Sequence, residues 1–409
     1  MFWVQGADTA ATGDVTLELG ADNALSAAGS VLVKNGGVLD VGSTRQTLNN
    51  LQVEAGGLLT GSENGTLIFN LSKELSMSGS MDLDKVVLQG HNLVLKSDDT
   101  DWNSFTVKSG ILYMPTNNAL ADNGVTRIES GAKLHLSTWH ADTIRYLDGH
   151  IQLANNTTLQ LGNFEGAHAY VNAYIEVDKD ATATIDVGKW HLQYGAYNKN
   201  GGAISFKADA LYFDYSAQQY IGGTLKVDDN TAFYGQVDSS SDYTQGRVVQ
   251  LNHLDVSTDK ILTVNDNKGK TAWQFDKLTG SGNITWTSDW GAGVWANGRS
   301  ARMTIGGDGQ YAGQITLNRS YDQGAHRYQA FIEITGDEAV SGAVINLNGS
   351  HANDNASLAI NTKNAKLKGL NGNQYSHLLA GAAPQGSAST SAPGSTAANS
   401  LIFTSSSND

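Results

Sequence analysis

Apolar and polar positions recur along this chain at a fixed spacing. The pair Gly36-Gly37 returns as Gly56-Gly57, Val33 as Val53 and Leu39 as Leu59. A period in the twenties marks a solenoid, in which each repeat buries its apolar face only by stacking on its neighbours. The shared unit is apolar, two free positions, a turn residue, two free positions, then apolar, free and usually apolar again. It fits residues 107–115 around Gly110, 128–136 around Gly131, 153–161 around Asn156, 177–185 around Asp180, 227–235 around Asn230 and 256–264 around Asp259. A looser copy has Asp22 at the turn. Every turn residue is Gly, Asn or Asp, the types that enter the left-handed backbone region at least cost.

Between the turns the residues alternate as half-buried strands do, and helical i, i+3, i+4 patterns are hard to find. The pattern predicts an all-β solenoid with repeats of about 20–29 residues over 1–270. Residues 271–380 read as Gly-rich β-strand segments, possible continuations of the same solenoid. Residues 381–399, GAAPQGSASTSAPGSTAAN, read as a linker or an inserted loop. Residues 400–409 read as the start of a truncated strand. Lys34 and Glu54 share one template position, as do Lys108 and Glu129, so each pair is expected to meet in a column of stacked turns.

Composition sharpens this picture. Of 409 residues 46 are Gly and only three are Pro, so the turns use Gly, Asn and Asp and the ladders are rarely interrupted. Lys plus Arg number 26 against 40 Asp plus Glu, a net charge of −14. That balance argues against a nucleic-acid partner or an anionic membrane surface. The absence of cysteine excludes a disulfide scaffold and thiolate metal sites, and suits a chain that crosses a membrane unfolded. No run is long enough to span a bilayer as a helix. The start, MFWVQGADTA, has no basic and apolar signal regions, and the end, LIFTSSSND, stops within a strand pattern. We expect an excerpt of a longer protein.

The stretch GGVLDVGSTRQTLNNLQVEAGG resembles the repeat of autotransporter passenger domains. LTGSGNITWT followed by MTIGGDGQYAGQITL is similar to another stretch of the autotransporter-associated β-strand repeats. The similarity is one of texture and short motifs and covers about half the chain. It implies a right-handed parallel β-helix, exported through a bacterial envelope and displayed on or released from the surface. The family's signal and membrane barrel are missing here. So is the Gly-Asp-Ser-Gly motif of its protease members, so that activity is not carried over.

The chain holds no G-x-S-x-G, H-E-x-x-H, P-loop or dinucleotide fingerprint. Asp99, Asp101 and Asn103 have the spacing of a calcium loop, but position six is Ser104 and no Glu stands at position twelve. They read as a solvated turn. His135 and His140 flank Trp139 and read as surface histidines. We expect no metal, no cofactor and no catalytic residue. The most suggestive cluster is Trp286, Trp290 and Trp295, with Asp289, Arg299 and Arg302 nearby. Exposed indoles are platforms for sugar rings. Trp286, Trp290, Trp295 and Arg299 are therefore the candidate glycan contacts, against the alternative that the tryptophans fill the end of a core.

The expected function is non-catalytic: a surface-displayed or secreted stalk or adhesin, monomeric, that meets host glycan or an extracellular protein. The alternative is a polysaccharide-cleaving β-helix enzyme. It would carry several carboxylates and a basic residue along one groove.

Overall fold

The computed structural model describes residues 2–5, 15–25, 29–97, 99–115, 124–137, 143–147, 149–162, 168–171, 173–192, 196–198, 201–213, 218–235, 247–265, 271–288, 301–319, 330–351, 355–382 and 400–404. Among these residues there is no helix. Parallel strands stack into a β-solenoid of about 13 turns. The chain forms two units, residues 1–190 with 201–203, and residues 191–200 with 204–409. The paired strands Leu75–Met77 and Leu93–Leu95 align Leu75 with Leu93. Strands Asn283–Ser288 and Gln314–Arg319 align Ile284 with Ile315, so turn length is far from constant.

In the first unit the predicted repeat is the stacking unit. Val15–Glu18, Gly37–Asp40, Leu58–Thr60 and Ser80–Gly90 are consecutive neighbours in one parallel ladder. Leu17, Leu39, Leu59 and Met81 fall in register down it. Leu39 and Leu59 are fully buried and Met81 nearly so. Each such side chain contributes about 1.5–3 kcal/mol. A slip of one residue would turn the whole column outward, which is why alternation fixes the register.

The turns carry the predicted chemistry. Gly36, Gly56, Gly110, Gly131, Asn156, Asp180 and Asp259 all have φ between 57° and 81°. Two expected turns differ. At the first, Asn23 rather than Asp22 takes the positive φ, and Asp22 Oδ1 accepts from the Arg45 amide. At the other, Asn230 is not left-handed, and its Oδ1 accepts from the Ile261 amide. In both, a short polar side chain caps a strand of the next turn.

The expected charge columns do not form. Lys34 lies over the Trp3 ring, 4.7 Å from its centroid, and Glu129 lies 3.4 Å from Arg127. Exposed partners of equal template position gain too little from pairing to outbid a ring face or a nearer guanidinium.

The second unit repeats the plan with larger side chains. Phe233, Val264, Trp286, Leu317 and Leu347 form one inward column. Trp273 meets Phe213 edge-on at 5.3 Å. The boundary expected at residue 270 does not interrupt pairing, since Arg247–Val256 pairs with Thr271–Phe275. Near the end, Asn364–Leu367 pairs with Ser400–Phe403. The Ala/Ser/Gly/Pro segment lies between these two strands in sequence. Its residues 383–399 lie outside the described residues.

Candidate functional site

The strand holding Trp286 does carry a candidate surface, but through its neighbours. In Asn283–Ser288 the side chains alternate, so Ile284, Trp286 and Ser288 point inward while Thr285 and Thr287 point outward. Trp286 is fully buried, and a sugar ring cannot reach it. This corrects its assignment as a glycan contact: a bulky apolar ring at an inward position is worth most in the core. Trp290, Trp295 and Arg299, with Asp289, lie outside the described residues. Arg302 lies on another strand, 3.4 Å from Glu333.

Register extends the outward pair into two columns. Thr285 aligns with Thr263 on one side and Thr316 on the other, then Asn346 and Asn371. Thr287 aligns with Asn265 and Tyr234 in one direction, and with Asn318 and Asn348 in the other. Neighbouring turns bring these side chains about 4.8 Å apart, and the two columns run about 7 Å from each other. No member of either column carries a charge.

Part of this face is tied to itself. Asn348 Nδ2 donates to Asn318 Oδ1 at 2.8 Å, and Asn371 Nδ2 donates to Asn346 Oδ1 at 2.8 Å. Asn346 Nδ2 donates to Thr316 Oγ1 at 3.3 Å. These bonds hold the amides in one orientation. Among the described residues nothing bonds the hydroxyls of Thr263, Thr285 and Thr287, which are half-exposed. One end of the face is aromatic. Tyr212 stacks on Tyr234 with centroids 4.7 Å apart and planes 11° apart, and His191 stacks on Tyr212 at 4.4 Å. His191 is buried while Tyr212 and Tyr234 are only half-buried, so the two tyrosines are what this stack offers to solvent.

Carboxylates gather elsewhere in the same unit. Glu333 is almost fully buried, faces Arg302, and accepts from Asn361 Nδ2 at 3.0 Å. Asp276 accepts from Gln250 at 2.6 Å and from Gln274 at 2.7 Å. Each carboxylate is already bonded within the fold.

The calcium-loop spacing is a strand. Asp101 and Asn103 share the exposed side of Thr100–Val107, and Asn103 Nδ2 donates to Asp84 at 2.9 Å. Among the described residues no group of three or more His, Asp or Glu side chains could hold a metal ion. His135 packs against Tyr113 with ring centroids 4.6 Å apart and planes tilted by 34°, while His140 lies outside the described residues.

Sequence reading missed Thr285, Thr287, Tyr234 and the Asn column as site residues. A signal was present: Thr285-x-Thr287, Thr316-x-Asn318 and Asn346-x-Asn348 recur at the same place in the strand pattern. No protein family, curated protein or solved structure matches this chain.

Proposed function

We propose that the chain is a segment of a bacterial surface-displayed or secreted passenger of the autotransporter type. In this reading it serves as stalk and adhesin and grips host or mucosal glycan with the Thr/Asn/Tyr face. The observation that carries the reading is the pair of uncharged outward columns, regular over several turns and fringed by stacked tyrosines. Hydroxyl and amide groups fixed on a rigid sheet meet sugar hydroxyls with little ordering cost. The tyrosines add apolar contact for a ring. The autotransporter identity rests on the repeat texture of the sequence and on its compatibility with a β-solenoid.

Binding is favoured over polysaccharide cleavage at this face because neither outward column carries a carboxylate, and two carboxylates elsewhere in the unit are bonded within the fold. Hydrolysis of a glycosidic bond needs two carboxyl groups free to face the sugar. Glu333 is buried against Arg302 and Asn361. Asp276 is committed to Gln250 and Gln274. The test is a glycan array with the purified chain and a Thr285→Lys/Thr316→Lys variant. Specific binding by the former and its loss in the latter supports the reading.

A further inference from the structure

A second constellation sits on a different face of the second unit and bears on chemistry. It draws on three strands, Gln218–Val227, Arg247–Val256 and Leu278–Gly280. Thr224 Oγ1 lies 2.9 Å from His253 Nδ1. His253 Nε2 lies 2.8 Å from Thr279 Oγ1. Thr279 Oγ1 donates to Asp255 Oδ1 at 2.7 Å.

The proton positions follow from valence. Thr279 has one hydroxyl hydrogen, and it goes to the Asp255 carboxylate. Thr279 therefore accepts from Nε2–H of His253. In the neutral ring that leaves Nδ1 as an acceptor, so Thr224 donates to it. Burial, with help from the charge of Lys277 and against that of Asp255, holds the imidazole below its usual pKa. Near neutral pH the Nδ1 lone pair is free to take a proton.

The backbone singles out the same threonine. Ile221 opposes Leu251 and Thr224 opposes His253, so Gly222 and Gly223 together face Asn252 alone. Gly223 has φ 61°, and Asn252 Nδ2 donates to its carbonyl at 3.3 Å. This is a β-bulge, a device that re-aims the side chain beside it. Thr224 and His253 are both only half-buried.

We propose that Thr224 and His253 form an acyl-transfer centre that hydrolyses small acyl esters, with Thr279 and Asp255 as positioning residues. Thr224 Oγ1 attacks the ester carbonyl carbon and its proton passes to His253 Nδ1. The bond to the leaving alkoxide breaks, and the proton on Nδ1 goes to that oxygen. Water then attacks the acyl-threonine carbonyl and gives a proton to Nδ1. The bond from carbonyl carbon to Oγ1 breaks, the carboxylic acid leaves, and the proton returns to Oγ1. Through Thr279, Asp255 fixes the tautomer and steadies the imidazolium formed between steps. The inference is independent of the glycan-binding reading, which concerns other strands.

The test uses p-nitrophenyl acetate as probe with the full chain, locating the acyl group by peptide mass spectrometry after acid quench. An acetyl group on Thr224, with ester hydrolysis reduced about 100-fold in Thr224→Ala and partly kept in Thr224→Ser, is expected. Thr279→Val should shift the pH dependence of the rate, and Thr279→Ser should restore it, which a merely structural role would not do. Acetylation only at other residues, no acetylation at all, or equal hydrolysis by a folded Thr224→Ala variant overturns the proposal. Should Thr224→Ala fail to fold, the adduct position in the unaltered chain decides alone.

Discussion

Arg127 grips Asp178 with both arms of its guanidinium, Nη1 to Oδ1 at 2.6 Å and Nη2 to Oδ2 at 2.5 Å. Register places Arg127 opposite Gln152, and Gln152 opposite Glu176, so the ion pair reaches past one whole turn of the first unit. A bidentate pair is the geometry in which an exposed ion pair does contribute.

Asp178→Asn should therefore destabilise the chain. Both partners are partly exposed, 26% for Arg127 and 42% for Asp178, so screening limits the effect to about 1 kcal/mol. The Arg127 hydrogen bonds hold the Asp178 carboxyl below its ordinary value of 3.8, against the opposing effect of partial burial. A depressed carboxyl pKa stabilises above the unfolded value and loses that stabilisation as pH falls through the folded one. Urea unfolding of both proteins should show a gap at neutral pH that closes below about pH 4.

Trp286 is a core residue and should behave as one. Trp286→Ala should cost about 3–5 kcal/mol, the range for emptying a buried aromatic site. Trp286→Phe should cost less and leave glycan binding per folded molecule unchanged. Chemical denaturation and binding measured on the same preparations check both statements. A Trp286→Phe protein that folds but no longer binds would return Trp286 to the binding surface.

Two glycines separate backbone strain from steric clash. Gly131 has φ 80° with nothing within 4 Å of an added Cβ. Gly280 has φ 94°, and its Cβ would lie 2.0 Å from the Val256 carbonyl oxygen. Gly131→Ala should cost about 1–2 kcal/mol from the left-handed backbone alone. Gly280→Ala should cost clearly more, because two stacked turns must move apart. Equal midpoints in thermal unfolding would contradict this.

His253 should titrate below 6.5, its ordinary value, because burial and then Lys277 oppose its charge. Removing the Lys277 charge with Lys277→Gln should raise the midpoint, and Asp255→Asn should lower it further. A depressed histidine pKa means that the unfolded chain takes up the proton first. Stability from this group is therefore present above pH 6.5 and falls as pH drops toward the folded value. Imidazole NMR titration measures the midpoint directly.

The solenoid was legible because stacking needs only local marks, an apolar alternation and a residue that tolerates positive φ. Gly36, Gly56 and Asn156 supply the second mark plainly. The site was legible only in part. Trp286 stood out as an indole, yet alternation turns it inward and turns Thr285 and Thr287 outward. The columns built on those threonines depend on register between turns of unequal length, as the pairs Leu75 with Leu93 and Ile284 with Ile315 illustrate. The Thr224 and His253 pair was hidden further, since the Gly222-Gly223 bulge shifts the register just before Thr224. Charge pairing misled at Lys34 because sequence position does not reveal that the Trp3 ring lies beneath it.

The central claim is that the uncharged Thr/Asn/Tyr face grips glycan, and a glycan array tests it most directly. The purified chain is run beside Thr285→Lys/Thr316→Lys, with Trp290→Ala as a third arm and circular dichroism confirming that each is folded. The account predicts specific glycan binding by the unaltered chain and its loss in the double-lysine variant, while Trp290→Ala reads whether that indole contributes. No binding by the unaltered chain, or undiminished binding by the double-lysine variant, would contradict it.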